Sequence, residues 1–174
     1  MSKIKGLKKV NKKVTKIFRK EWGIRKVALS DDFEYNFIKD RIRFKITHTI
    51  EDEIFNKFIK ERFGLELNAE SGFIFSLLHE VGHRENNDDV DGDVYQFCLD
   101  EKDRIETTLQ ENLDLPFEEV YNLETQYFNL PDEIMATAWA VKFLKENPKK
   151  VKKFYEKITK ILKKFYKING IEAE

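Results

Sequence analysis

The segment HEVGH contains two histidines four residues apart, His79 and His83, and a glutamate, Glu80, next to the first of them. Residues four apart on an α-helix lie on the same face, so both imidazole rings can bind one metal ion. Glu80 lies beside that face, where its carboxylate can reach a metal-bound water. A metal such as zinc lowers the pKa of its bound water to about 7, and a nearby carboxylate takes the proton as the water attacks a carbonyl. The segment therefore predicts metal-assisted hydrolysis with Glu80 as the general base.

A catalytic zinc site usually has three protein ligands and leaves the fourth position to water. The chain contains one further histidine, His48, and one cysteine, Cys98. His48 follows a strand-like segment, and Cys98 follows an apolar run typical of a small core residue. We therefore expect the third ligand to be a carboxylate.

Two sources of that carboxylate remain open. The first is Glu133 in LPDEIMATAWAVKF, near the start of a predicted helix whose small residues allow close approach to another helix. A first-turn acid is also favoured by the helix dipole alone, so Glu133 has a purely structural interpretation as well. The second source is a group of acids shortly after the motif: Asp88, Asp89, Asp91 and Asp93.

The motif HEVGH, followed 50 residues later by a glutamate on an alanine-rich helix, resembles the gluzincin branch of zinc metallopeptidases. More narrowly, FSLLHEVGH and YFNLPDEIMATAWAVKFLKEN resemble the compact metallopeptidases of phages and integrated mobile elements, over roughly residues 33–147. The resemblance implies a zincin-like minimal domain that hydrolyses peptide bonds with Zn²⁺. It implies His79, His83 and Glu133 as ligands and Glu80 as base. Because the glutamate lies nearer to the histidines in the thermolysin type, three acids stay as reserve ligands: Asp88, Asp89 and Asp91.

A hydrolase of this kind also needs a hydrogen-bond donor for the oxyanion and a surface for its substrate. Tyr127 and Tyr121 precede the predicted Glu133 helix and are candidate donors, Tyr127 being preferred. An edge strand formed by FEYNFI or RIRFKIT could bind an extended peptide by strand addition. We therefore expect a polypeptide substrate, and the small size of the chain favours a single regulatory protein.

The length of 174 residues, 41% of them hydrophobic, indicates one domain spanning residues 1–174. The predicted elements place this domain in the α+β class. KVALS, FEYNFI and RIRFKIT alternate as strands do and predict a small antiparallel sheet with a turn at Lys39–Asp40. The region 116–127 has no clear period. Helical spacing and caps predict a mostly helical remainder: 1–22, 49–63, 72–85 capped by Asn68 or Ser71, 95–112, 131–147 and 149–168.

Charge is sorted along the chain although its formal net value is zero. Residues 1–26 have a net charge of +10, residues 142–167 of +9 and residues 85–133 of −14. A solvated helix face explains the basic ends most simply. The alternative function is a nucleic-acid- or protein-binding protein that uses these basic helices and has a structural or non-catalytic zinc site.

The sequence also indicates where the protein works. There is no run of eighteen apolar residues, which predicts no membrane span. A basic N-terminal segment without an apolar stretch and cleavage site does not fit a secretory signal. One cysteine cannot form an intrachain disulfide and suits a reducing compartment, so we expect the cytoplasm.

Overall fold

The structure, a computed structural model, describes residues 5–47, 52–86 and 91–171. Its architecture is α+β: helices surround a small sheet, and the elements share one apolar core. No helix in the described ranges has both the length and the apolar character that crossing a membrane requires. The elements in chain order are α1 Leu7–Trp22, β1 Lys26–Ser30, β2 Glu34–Asn36, β3 Arg41–Lys45, α2 Glu53–Phe63, α3 Ala69–Glu85, α4 Gly92–Glu111, α5 Phe117–Phe128, α6 Pro131–Glu146 and α7 Pro148–Asn169.

The sheet is mixed, so the prediction of an antiparallel sheet is wrong for one of its two strand pairs. The strand order is β1-β3-β2, with β1 parallel and β2 antiparallel to β3. Strand β3 lies in the centre; β1 and β3 both bury alternate side chains, whereas β2 has only half-buried ones. The outer strands are about 10 Å apart, a distance that the short connection 31–33 can cross. The predicted turn is present, with Asp40 at a φ of 40°.

Helix α1 covers the outer edge of β1. The Oδ1 atom of Asn11 accepts a hydrogen bond from the backbone N–H of Leu29 at 3.0 Å. The hydroxyl of Thr15 accepts from the N–H of Val27 and donates to its carbonyl, both at 3.0 Å. These side chains replace a neighbouring strand, which protects the edge from pairing with another chain. Strand β2 forms the opposite edge of the sheet.

The two terminal helices pack against each other in antiparallel orientation. At one end, the ring of Phe154 lies 5.1 Å from that of Phe18 and 4.8 Å from that of Trp22. At the other end, the side-chain amide of Asn169 donates to the carbonyl of Lys5 at 3.0 Å. Their apolar sides enter the common core. The helical prediction for 1–22 is confirmed over Leu7–Trp22, and that for 149–168 over Pro148–Asn169.

Helix α3 is the most deeply buried element and packs most extensively against α6. The side chain of Asn68 accepts from the N–H of Ser71, and the hydroxyl of Ser71 accepts from the N–H of Asn68. This reciprocal cap satisfies two of the free amide groups at the helix start. The cap predicted at Asn68 or Ser71 therefore uses both residues, and the helix extends to Glu85 as predicted.

Candidate metal centre

Helix α3 brings both histidines to one face, next to the core. His79 is buried, and His83 is half-buried one turn later. Their ring centroids are 4.7 Å apart and the rings are perpendicular, so the two Nε2 atoms can approach a common point. The spacing of four residues on a regular helix gives this arrangement, as the sequence predicted.

Helix α6 brings the third residue, Glu133, from its first turn. Pro131 occupies the first turn of α6, where its missing N–H has no consequence, and Glu133 follows two residues later. The Oε2 atom of Glu133 lies 2.9 Å from Nε2 of His79, and its Oε1 atom lies 3.3 Å from Nε2 of His83. The predicted combination His79, His83 and Glu133 is therefore assembled in the folded chain.

The close approach of α3 and α6 depends on Gly82. A Cβ atom at this position would lie 2.9 Å from the Cα of Ala136 and would collide with the carbonyl oxygen of the same residue. Asn86 holds the two helices further along, donating to the carbonyl of Met135 at 3.2 Å. The small residues on both helices thus have the effect expected from the sequence.

The donor set suits a zinc ion. Zinc binds imidazole nitrogen and carboxylate oxygen at about 2.0–2.1 Å, so the atoms of a tetrahedral ligand set lie about 3.3 Å apart. One ligand atom from each of the three residues lies within 4.8 Å of the others, and the two closest separations involving Glu133 are 2.9 Å and 3.3 Å. The three residues can close around zinc with small side-chain adjustments.

Thr137, one turn after Glu133, orients the ring of His79. Its hydroxyl lies 3.1 Å from Nδ1 of His79. With Nδ1–H donating to this hydroxyl, Nε2 presents its lone pair towards Glu133 and the candidate metal position. Nothing local in the sequence indicates that Thr137 contacts a residue on α3.

The Glu80 carboxyl is buried beside the histidines and lines the same cavity. Burial raises the pKa of Glu80 to about 8; the charge of His79 opposes this shift, and that of Glu133 adds to it. Burial would also raise the pKa of Glu133. Its contacts with His83 and His79 outweigh burial, however, and hold the pKa of Glu133 well below the usual range. The two buried carboxyls are therefore electrostatically distinct.

Lys102 of α4 is a charged residue at the site that the sequence motifs do not indicate. Its Nζ atom contacts Oε1 of Glu133 and Oδ2 of Asp132, both at 2.5 Å. Burial alone would lower the pKa of Lys102, but the two carboxylates and Tyr127 raise it, so the ammonium stays charged. The one available signal was that Lys102 and Arg104 are the only bases among the acids of residues 85–133.

A cavity of about 720 Å³ opens onto the three residues. Tyr127 of α5 lines it, whereas Tyr121 does not and instead lies under the ammonium of Lys57. Burial and the nearby Glu133 raise the pKa of Tyr127. Of the two candidate oxyanion donors, only Tyr127 thus faces the cavity. Strand β2 forms another part of its wall through Glu34, Tyr35 and Asn36, so this edge of the sheet borders the site.

The other ligand candidates are not part of this group. Asp91 is exposed and caps α4, where its side chain accepts from the N–H of Asp93. Cys98 is buried and free, and burial raises the pKa of its thiol. His48 and the reserve ligands Asp88 and Asp89 lie outside the described residues. Within the described ranges, the grouping of potential metal ligands is the one formed by the two HEVGH histidines and the α6 glutamate.

Comparisons with protein-family models, with curated proteins and with solved structures found no match to this chain. The gluzincin resemblance therefore stays a prediction from the two sequence motifs. The geometry of the site is what supports an inference about function.

Proposed function

We propose that this protein is a zinc-dependent metallopeptidase of the gluzincin type. The observation that carries the proposal is the convergence of His79, His83 and Glu133 from two helices, beside a separate buried carboxyl, Glu80, in one open cavity. Two imidazoles and one carboxylate are a ligand set of catalytic zinc sites in hydrolases. A purely structural zinc site would be closed by a fourth protein ligand, and the described residues offer three.

The residues around the cavity divide the chemistry between them. When bound, zinc would polarise the scissile carbonyl and lower the pKa of the attacking water. Glu80 would accept the proton of the attacking water and return it to the leaving amine. Tyr127, whose raised pKa keeps its hydroxyl protonated, donates a hydrogen bond to the oxyanion. Thr137 keeps His79 in the tautomer that ligation needs.

The sheet supports a polypeptide as the substrate class. Helix α1 covers the edge of β1, whereas β2 forms the other edge of the sheet and borders the cavity. An extended peptide that adds to β2 would have its main chain held by backbone hydrogen bonds while it passes the metal position. We propose a polypeptide, such as one regulatory protein, as the substrate, and the cytoplasm as the location, which suits the free thiol of Cys98.

The proposal is tested by separating metal binding from hydrolysis. Zinc-loaded wild-type protein, Glu80→Gln and the control Glu85→Gln are analysed for bound zinc and for cleavage of a library of quenched fluorescent peptides. Glu85 is on the same helix but pairs with Arg84 and does not line the cavity. We expect about one zinc per chain in all three and an at least 100-fold loss of cleavage in Glu80→Gln alone. Wild-type protein without zinc, or full activity in Glu80→Gln, would contradict the proposal.

A further inference from the structure

The terminal helices form a strongly basic surface that the proposed reaction does not use. Every lysine and arginine of α1 and α7 is exposed. We call these residues the basic face: Lys8, Lys9, Lys12, Lys13, Lys16, Arg19 and Lys20 of α1, and Lys149, Lys150, Lys152, Lys153, Lys157, Lys160, Lys163, Lys164 and Lys167 of α7.

The packing of the two helices brings these charges together. Because α1 and α7 lie antiparallel and bury their apolar sides in the core, their polar sides remain outside along the full length of the pair. Each helix has one acid, Glu21 on α1 and Glu156 on α7. Glu21 is half-buried, and its carboxylate oxygens lie 3.6 Å from Nζ of Lys150 and 3.9 Å from Nζ of Lys157, so it partly neutralises these two lysines. The helix pair has a net charge of +14.

We propose that the basic face binds double-stranded nucleic acid through its backbone phosphates. Helix α7, with 22 residues, is about 33 Å long, which is close to one turn of B-form DNA. Lysines pair with phosphates as point charges without reading bases. Because charge density of this kind releases counterions from a polyelectrolyte, it gives sequence-independent affinity.

The composition of the face favours nucleic acid over other anionic partners. An acidic protein partner would need an apolar or aromatic centre in the interface. On α1 and α7 the exposed large hydrophobic residue is Ile168, which lies at the end of α7 and not in the middle of the basic face. An anionic membrane would need the apolar sides of the helices for insertion, and those sides are in the core.

Nucleic-acid binding at this face leaves the proposed catalytic cavity free. The residues that line the cavity come from the sheet, from α2 to α6 and from their connections, and none comes from α1 or α7. The two sites can therefore be occupied together. A substrate polypeptide that is itself bound to nucleic acid would therefore lie on the same nucleic-acid molecule as this protein.

The test is a fluorescence-anisotropy titration of a labelled 30-base-pair DNA duplex with the full chain at 50–200 mM NaCl. Wild-type protein is compared with Lys160→Glu/Lys164→Glu on α7 and with Lys39→Glu/Lys57→Glu, which makes the same charge change at exposed positions outside the basic face. We expect wild-type affinity to fall with salt at a log–log slope of about −4 or steeper, which corresponds to four or more phosphates. The α7 variant should bind at least tenfold more weakly than the control variant.

Three results would overturn the proposal: no binding of wild-type protein at 50 mM NaCl, equal losses in the two variants, or binding to phosphatidylserine vesicles without binding to DNA. Circular dichroism verifies that the variants fold. If the α7 charge reversal does not fold, Lys160→Gln/Lys164→Gln is used with the same requirement of weaker binding than its control, Lys39→Gln/Lys57→Gln.

Discussion

Replacing Gly82 by alanine should push apart the two helices that bring the candidate ligands together. Helix α3 carries both histidines and α6 carries Glu133, and the backbone of Ala136 lies directly against Gly82. A new Cβ atom would lie 2.9 Å from the Cα of Ala136, whereas ordinary contact begins at 3.4 Å. The helices must therefore separate by at least about 0.5 Å at this point.

This separation should weaken both zinc binding and stability. Metal–ligand distances tolerate deviations of about 0.2 Å, so a displacement of Glu133 by about 0.5 Å from the histidines should lower zinc affinity at least tenfold. Overpacking costs about 1–3 kcal/mol, and the higher helix propensity of alanine returns about 1 kcal/mol. The zinc-free protein should therefore lose up to about 2 kcal/mol in its free energy of unfolding.

The assay combines urea unfolding in the presence of a chelator with zinc competition against a chromogenic chelator. Gly92→Ala is the matched control, since Gly92 begins α4 and a Cβ atom there meets nothing within 4 Å. The control should unfold at the wild-type urea concentration or slightly above it and bind zinc as wild type does. If Gly82→Ala has wild-type stability and wild-type zinc affinity, the close approach of α3 and α6 does not govern the site.

Two further substitutions test the charges around the site. Glu133→Ala should reduce zinc affinity at least 100-fold, whereas Asp91→Ala, at an exposed helix cap, should change it less than twofold. A larger effect at Asp91 would indicate that the third ligand comes from the segment after the motif. Lys102→Met leaves Asp132 buried without its cation, removes one of the partners of Glu133, and should destabilise the zinc-free protein by about 3–5 kcal/mol. Zinc should reduce that loss by neutralising Glu133, and a loss below about 1 kcal/mol in urea unfolding would argue against the pairing.

Features encoded by neighbouring residues could be predicted from the sequence. The helix of the HEVGH motif depends on the local cap formed by Asn68 and Ser71 and on apolar spacing, and it was found with the predicted end at Glu85. The start of α6 depends on Pro131, which fixes the backbone at the first turn. Both helices were predicted correctly, and they are the elements that bring His79 and Glu133 together.

Features that depend on tertiary contacts could not be predicted in the same way. Strand signals gave β1, β2 and β3 but not their order, because β1 and β3 bury alternate side chains in the same way and only the tertiary packing places β3 in the centre. In the sequence, Lys102 is only a basic residue in an acidic helix. Its ion pair with Glu133 depends on the packing of α4 against α6. Tyr127 was preferred to Tyr121, but the reason that Tyr127 lines the cavity is the side of α5 that faces it, which is a tertiary feature.

The most direct test of the account is a crystal structure of the zinc-loaded protein with anomalous data at the zinc absorption edge. We predict one zinc peak per chain, bound by Nε2 of His79, Nε2 of His83 and the Glu133 carboxylate at about 2.0–2.1 Å, with solvent in the remaining position. A zinc peak at the acids after the motif, or a fourth protein ligand that closes the site, would contradict the account.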